Sequence, residues 1–192
     1  MTKLEVQSRI SKNGKKLALD KFSWDEKTRT FVSEEDNLVL DFRGVVSITF
    51  KTGWDCIFVT GSYCTFKTDS DCIFETGDSC TFDTGSDCTF VTGSDCTFET
   101  YWNCTFKTGG YCTFDTGSYC TFKTYWNCTF KIGENCIINS YYSAYIINRN
   151  KNNLAIIRNE YDKTIYDLDT LNKDKVLKLS IDYIIENEIE GK

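Results

Sequence analysis

Apolar and polar positions alternate along the middle of the chain with a period of eight residues. The unit reads G-S-x-C-T-F-x-T, and all 11 cysteines stand eight residues apart between Cys56 and Cys136. Phenylalanine stands two positions after ten of them, from Phe58 to Phe130, and a mostly charged position follows it. Because side chains alternate between the faces of a strand, Cys, Phe and the last Thr are predicted to face a core, and the variable residue water.

The frame extends beyond the cysteines in both directions. Apolar pairs occupy the Cys and Phe positions of three further units: Leu40 and Phe42, Ile48 and Phe50, Ala144 and Ile146. A short fixed period over this length is typical of solenoids. We therefore predict an all-β chain whose residues 37–148 form a parallel β-solenoid of octapeptide repeats.

The number of octads in one coil has two solutions. Two octads give a 16-residue coil of two sheets, in which Cys of one sheet is expected to face Phe of the other, and isoleucine recurs at multiples of 16, at Ile57, Ile73 and Ile137. Three octads give a triangular 24-residue coil, and three tryptophans share a column at that period: Trp54, Trp102 and Trp126. We favour two octads, with the corner glycines supplying the positive φ that a tight corner needs.

The flanks break the repeat and are predicted to be small β caps. Residues 1–36 include an alternating segment around a turn at Asp25–Lys27, which is typical of a β-hairpin. Residues 149–192 contain two further strand-like segments, at 154–169 and 174–186, and the second also suits a helix. The open edges of such a stack also allow a homodimer through a solenoid end or cap.

The cysteines raise the question of metal binding, disulfides or redox sensing. Metal ligands usually cluster as C-x2-C, and disulfides need an oxidising compartment, whereas these cysteines stand singly beside Phe on the core side. We interpret Cys as a compact buried hydrophobe, with no metal or cofactor site.

Outward threonines form a column like the arrays of ice-binding solenoids. They are Thr65, Thr81, Thr97, Thr113 and Thr129. Charged residues share their face and interrupt the flat plane of hydroxyl groups that such arrays present. Ice binding is therefore disfavoured, and the high strand propensity of threonine suffices to explain the column.

Composition narrows the function classes. The chain has 192 residues, a net charge of −6 and no histidine, and it shows no nucleophile motif or Gly-rich phosphate loop, so we predict that it is not an enzyme. It has no apolar run long enough for a membrane span and no apolar signal core near its start, so we expect a cytoplasmic protein.

Two departures from the repeat are candidate partner-binding surfaces. One is an acidic belt without basic residues, formed by Asp69, Asp71, Glu75, Asp78, Asp83, Asp87, Asp95 and Glu99. The other is a set of corner aromatics, formed by Tyr101, Trp102, Tyr111, Tyr119, Tyr125 and Trp126. Acidic side chains also serve as a solubilising face, and corner rings also stack on one another, so neither pattern alone establishes binding.

The stretch CTFKTGSYCTFKTYWNCTFKIGENC resembles cysteine-rich octapeptide-repeat proteins of bacteriophages and low-GC bacteria, over residues 53–136. In architecture the chain is also similar to pentapeptide-repeat proteins, some of which are acidic solenoids that imitate DNA. The resemblance implies a viral setting but no established activity. Together with the acidic belt, this setting predicts a non-enzymatic inhibitor of a host nucleic-acid-handling or defence complex. Its partner would be a protein with a basic groove, and the chain itself would not bind nucleic acid or membranes. The alternative is a structural or adhesive phage component that binds through its corner aromatics.

Overall fold

Successive strands of the chain alternate between two sheets. The computed structural model describes residues 1–141 and the backbone strands at 144–148, 156–159, 165–167 and 176–179. The chain starts with helix α1 (Lys3–Gln7), and a 3₁₀ turn follows at Leu19–Lys21. Sheet I contains β1 (Ile10–Lys12), β2 (Lys15–Lys16), β5 (Leu38–Phe42), β7 (Ile57–Thr60), β9 (Ile73–Glu75), β11 (Thr89–Val91), β13 (Thr105–Lys107), β15 (Thr121–Thr124), β17 (Ile137–Ser140), β19 (Ile156–Asn159) and β20 (Ile165–Asp167). Sheet II contains β3 (Ser23–Asp25), β4 (Thr30–Val32), β6 (Thr49–Thr52), β8 (Thr65–Thr68), β10 (Thr81–Asp83), β12 (Thr97–Glu99), β14 (Thr113–Asp115), β16 (Cys128–Ile132), β18 (Ala144–Asn148) and β21 (Val176–Leu179).

The coil contains two octads, as the sequence predicted. Phe82 lies opposite Phe98 in a parallel pair, and Phe74 lies opposite Phe90 in the other sheet, so hydrogen-bonded neighbours are 16 residues apart. The 24-residue alternative is excluded by this register. The chain is therefore a flattened parallel β-solenoid with two sheets packed face to face.

The inner face follows the predicted alternation. Cysteines and phenylalanines of the repeat are at most 1% exposed, and the last Thr is buried in most octads, for example Thr116 at 1%. The variable position, such as Lys67 or Glu99, lies outside. The core is thus a narrow column filled by the same three side chains from each octad.

Phenylalanine faces phenylalanine across the core, so the predicted packing of Cys against Phe is wrong. Phe90 and Phe98, from opposite sheets, meet edge to face at 5.2 Å, whereas Phe82 and Phe98, from the same sheet, stack at 4.8 Å. The reason is that the two strands of one coil run in opposite directions. The inward residues Cys, Phe and Thr of one strand therefore face Thr, Phe and Cys of the other, and the central Phe faces Phe. Both ring geometries are favourable, and together they order the core.

The thiols lie at the ends of the core, beside threonines of the preceding octad. The Thr60 hydroxyl lies next to the Cys64 thiol, and Thr124 lies next to Cys128. Each sulfur also approaches a corner carbonyl two residues earlier, as Cys104 Sγ does at 3.4 Å from the oxygen of Trp102. Cysteine therefore combines small volume with a weak S–H donor, which an aliphatic residue of that size lacks.

Positive φ falls on the residue before each cysteine, and the predicted role of the corner glycines is wrong. Asp71, Asp87 and Asn103 have φ of 61°, 59° and 54°, whereas the repeat glycines stay outside this region. Asp and Asn tolerate the left-handed conformation better than most residues. Gly85 is needed instead for close stacking, because a Cβ there would lie 2.4 Å from Ser70 Oγ of the previous coil.

The first octad is displaced by two residues from the predicted frame. Leu40 pairs with Phe58, and Phe42 pairs with Thr60, so Leu40 occupies the Phe column and Leu38 precedes it in the Cys column. The assignment of Leu40 and Phe42 to the Cys and Phe positions is therefore wrong. A corner two residues longer than the others follows β5, and it lengthens this coil to 18 residues.

Antiparallel strands cover the edges of the solenoid at its N-terminal end. The predicted hairpin is confirmed, since β3 pairs antiparallel with β4 through Trp24 and Phe31. Its second strand then pairs parallel with β6, which places Phe31 in the phenylalanine column. On the other sheet, β1 pairs antiparallel with β5, and the outermost strand β2 carries the exposed Lys15 and Lys16, which discourage further pairing at this edge.

At the other end, β18 continues the frame as predicted, with Ala144 opposite Cys128 and Ile146 opposite Phe130. Beyond it, β19 is parallel, and β20 and β21 pair antiparallel at the two sheets. Both strand-like segments of this flank thus contain strands. The helical alternative for residues 180–186 lies outside the described residues.

Candidate functional site: an acidic and aromatic edge

The solenoid has four sides, namely the outer faces of the two sheets and the two edges where the chain turns. The first edge is defined by six octad corners that lead from sheet II to sheet I, at 53–55, 69–71, 85–87, 101–103, 117–119 and 133–135; the corner at 33–37, between β4 and β5, precedes them on the same side. The second edge consists of the corners that lead back, at 61–63, 77–79, 93–95, 109–111 and 125–127.

The eight residues of the predicted acidic belt are distributed over all four sides. Three lie on the first edge, two on the second edge, one on sheet I and two on sheet II. The first edge holds Asp69, Asp71 and Asp87, and the second edge holds Asp78 and Asp95. Glu75 lies on sheet I, and Asp83 and Glu99 lie on sheet II. The belt encircles the solenoid, and the sequence order of the charges does not give a single face.

Unbalanced negative charge is concentrated on the first edge. These six described corners carry five carboxylates and no Lys or Arg, and the carboxylates are Asp55, Asp69, Asp71, Asp87 and Glu134. On sheet II, by contrast, Lys67 lies 3.3 Å from Asp83, and Lys131 lies 2.8 Å from Asp115. The first edge is therefore the side whose field favours a cationic partner.

Neighbouring coils bring first-edge carboxylates together. Partial burial and the charges of Asp55 and Asp87, one coil away on either side, raise the pKa of Asp71 above its ordinary value. The Asn103 side chain extends the column by donating a hydrogen bond to Asp87 Oδ1. The charges thus repel one another when no cation is present.

Backbone geometry explains some of these acidic residues but not all of them. Asp55, Asp71 and Asp87 occupy the left-handed position, where Asn serves equally well in other coils. Asp69 and Glu134 occupy other corner positions, where neither backbone φ nor close stacking calls for a carboxylate. Charge at these two positions is the part of the pattern that folding alone does not account for.

The corner aromatics are divided between the two edges. Tyr101, Trp102 and Tyr119 lie on the first edge, and the other three, Tyr111, Tyr125 and Trp126, lie on the second edge. The predicted aromatic set is therefore two sets that face in different directions. The sequence prediction missed Trp54, which is 56% exposed on the first edge, and it also missed Asp55 and Glu134. Once the 16-residue coil was chosen, their spacing from Trp102 and Asp87 was the available signal.

The octapeptide T-Y-W-N-C-T-F-K occurs twice, once on each edge, and its two copies differ in packing. In the second-edge copy, the Tyr125 ring lies 5.2 Å from Tyr141 and 5.9 Å from Trp126. In the first-edge copy, Tyr101 and Trp102 are 71% and 61% exposed, and neither contacts another ring in the described part of the chain. The first-edge copy is the one that is open to a partner.

Two cavities lie on either side of Tyr101. One has a volume of about 260 Å³ and is bordered by Glu99, Thr100 and Asp115. The other has a volume of about 440 Å³, is mostly apolar, and is bordered by Trp102 and Ser86. Concave surface, rings and carboxylates therefore coincide where the first edge meets the outer face of sheet II.

The other candidate chemistries have no comparable site. The described residues contain no group of three Cys, Asp or Glu side chains arranged to hold a metal ion. The outward threonine column of sheet II is continuous from Thr30 to Thr129, but Lys, Asp and Glu share its face. No helix in the described ranges is long and apolar enough to cross a membrane.

Comparisons with known proteins add no relative: no family model, curated protein or solved structure matches the chain. The resemblance to octapeptide-repeat proteins therefore stays a prediction, as does the cytoplasmic location.

Proposed function

We propose that the protein is a non-enzymatic binding protein whose first edge docks into a basic groove of a protein that handles nucleic acid. The observation that carries the proposal is the coincidence, on one edge, of five unbalanced carboxylates with open rings, including Trp54 and Trp102. Aromatic rings and charge complementarity are the features that favour stable and fast association.

The spacing of the charges favours a groove that holds a single strand. Six corners at the usual strand separation span about 24 Å, so the edge carries about one charge per 5 Å, against about 3.4 Å for one nucleic-acid strand and 1.7 Å for a duplex. Rings beside the carboxylates resemble bases beside a backbone, and grooves for single strands combine basic and stacking groups. In the most specific form of the proposal, the chain is a phage-type inhibitor that occupies such a groove in a host defence complex.

The second candidate function is adhesion through the aromatic rings alone. The exposure of Tyr101 and Trp102 supports this reading, and it requires no contribution from the carboxylates. The two candidates differ in their response to salt, because exposed charges are screened over about 8–10 Å near physiological ionic strength.

The experiment is capture from a bacterial lysate by the immobilised protein. A first-edge variant replaces the four aspartates by Asn and Glu134 by Gln, which preserves the backbone preferences. A matched control removes five charges elsewhere, by Gln at Glu26 and Glu75 and by Asn at Asp41, Asp78 and Asp95.

We expect a captured protein to elute with salt and with single-stranded DNA, to bind the control, and to be lost with the first-edge variant. Equal capture by the first-edge variant would reject the proposal. Capture that resists salt but is lost in Trp102→Ala would establish the adhesive function instead.

A further inference from the structure

The acidic cavity beside Tyr101 contains a row of three stacked carboxylates. Glu99 pairs in register with Asp83 on one side and with Asp115 on the other. Lysines pair with the two outer members, but no basic residue in the described ranges lies within 4 Å of the Glu99 carboxylate. A cation placed at Glu99 would relieve the repulsion along this row.

The ring beside Glu99 is suited to receive such a cation. Tyr101 borders both the acidic cavity and the apolar one, and it is 71% exposed. A guanidinium group stacks on aromatic faces and donates hydrogen bonds to carboxylates, whereas an ammonium group offers a point charge without a planar face. The apolar cavity at Trp102 then lies where the remainder of a ligand can pack.

The acidic cavity also borders a buried threonine. Thr100 borders the acidic cavity, is 7% exposed, and its Oγ1 has no hydrogen-bond partner within the described chain. The corresponding hydroxyls of Thr92 and Thr108 donate to the carbonyl of the next residue, a glycine, at 3.3 Å. The hydroxyls of Thr124, which precedes a tyrosine, and of Thr116, which precedes a glycine, also lack this bond, so its loss is not specific to the Tyr-Trp corner.

The second copy of the octapeptide supplies the internal comparison. In that copy, Lys123 precedes Thr124, as Glu99 precedes Thr100 in the first copy. Lys107 pairs in register with Lys123 in sheet I. Tyr125 is covered in part by Tyr141. The residue before the octapeptide is therefore a glutamate flanked by carboxylates in the first-edge copy and a lysine next to another lysine in the second-edge copy.

We propose that the cleft at Tyr101 is a binding site for an arginine side chain of the protein partner. The guanidinium group lies on the Tyr101 ring and donates to Glu99, and the segment around the arginine packs against Trp102. This inference rests on the proposed function, since it names the chemical group that the basic groove presents to the first edge.

The test uses N-acetyl-arginine amide as the probe and N-acetyl-citrulline amide, its uncharged isostere, as the matched control. Binding is followed by NMR through the indole Nε1–H signals of the four tryptophans and the backbone amides of residues 99–103. We expect the arginine probe to shift the Trp102 signal and not that of Trp126, and the citrulline probe to bind about tenfold more weakly, as expected for loss of a charge-assisted hydrogen bond.

Two substitutions test the ring and the carboxylate separately. Tyr101→Gly restores the common corner residue and should raise the Kd of the probe about threefold through the lost cation–π contact. Glu99→Gln keeps the shape and should raise it about tenfold. Tyr125→Gly, the matched change in the other copy, should leave the Kd unchanged.

Equal shifts at Trp126, equal binding of the citrulline probe, or unchanged affinity in Glu99→Gln would each overturn the site. If the probe fails while the first-edge variant still loses its captured partner, this inference is wrong and the proposed function stands. If the probe binds as described but capture is insensitive to the first edge, the proposed function fails and the arginine site remains.

Discussion

The two T-Y-W-N-C-T-F-K octads, at 100–107 and 124–131, compare one sequence in two environments. Inside the solenoid they are equivalent, because Cys104 and Phe106 occupy the Cys and Phe columns of sheet I, and Cys128 and Phe130 occupy the corresponding columns of sheet II. Outside they differ, because the second copy is offset from the first by three octads, an odd number, which places the two on opposite edges. An identical repeat therefore has an identical role in folding and a different role at the surface.

The difference between the copies comes from neighbours that are distant in sequence. Residues 16 positions away lie directly above and below each corner, so Asp87 lies beneath Asn103, whereas Tyr111 lies beneath Asn127. In a solenoid, neighbouring coils together form each surface, so the surroundings of a corner residue depend on the residues 16 positions before and after it.

The largest expected effect tests the equivalence of the two cores. Phe106→Ala and Phe130→Ala should each lower stability by about 3–5 kcal/mol, because both rings are fully buried in the stacked column. Denaturant unfolding followed by circular dichroism measures the loss. A cost in one copy several times that in the other would show that the copies are not equivalent inside.

The next largest effect is a difference between the two copies in how their cysteines change the stability with pH. A hydrogen bond with the Cys120 thiol, together with burial, raises the pKa of Cys104 to about 11, whereas a hydrogen bond with the Cys112 thiol lowers the pKa of Cys128, where Ala144 ends the cysteine column. A raised folded-state pKa means that the unfolded state ionises first. The stability contributed by Cys104 is therefore present below about pH 9 and lost as the pH rises to about 11, a change of about 2 kcal/mol.

Cys104→Val should remove this part of the alkaline loss, and Cys128→Val should not. Urea unfolding at pH 8 and pH 10.5 measures the difference for each variant. An alkaline loss in Cys104→Val as large as in the unsubstituted protein would contradict the pKa assignment.

A smaller effect separates the rings. Trp126→Ala should lower stability by about 1 kcal/mol, because its ring packs edge to face on Tyr125. Trp102→Ala should lower it by less than half of that, because its ring is 61% exposed and has no ring partner among the described residues. Thermal unfolding of the two variants side by side decides the order, and the reverse order would mean that the first-edge copy is the packed one.

The smallest expected effect concerns the left-handed corner residues. Asn103→Asp keeps the backbone preference but replaces a donor to Asp87 by a second negative charge, so the melting temperature should fall by about 1 °C at low salt. Asn127 lies next to Tyr111 in its column, so Asn127→Asp should lower the melting temperature by less. The difference between them should vanish at high salt, and a difference that persists there would show that charge is not its cause.

Much of the fold could be predicted because the repeat determines both the length of the coil and the residues that face the core. The 16-residue coil follows from the isoleucine column at Ile57, Ile73 and Ile137, and the inner face follows from alternation. The contact of Phe with Phe was missed because it depends on which inward residue is central when the strand direction reverses. The role of the corner residues was missed because φ is a property of the stacked corner, where Asp71 carries the left-handed turn and Gly85 only provides room.

The site was less predictable than the fold. Sequence order grouped the acidic residues from Asp69 to Glu99 into one belt, whereas alternate octads face opposite edges. Leu40 and Phe42 were misplaced because a longer corner follows β5, and nothing in the local pattern marks that insertion. Trp54 and Glu134 join Trp102 only through the period of the coil, which had to be chosen before the edge could be assembled.

The central claim, that the first edge is the binding surface, is tested most directly by carboxylate footprinting. The protein is labelled with a carbodiimide and glycine amide, free and in complex with its captured partner, and each carboxylate is quantified by mass spectrometry. We predict that Asp55, Asp69, Asp71, Asp87 and Glu134 are protected in the complex, while Asp78 and Asp95 on the second edge label as in the free protein. Protection of the second edge, with the first edge labelled as in the free protein, would contradict the account.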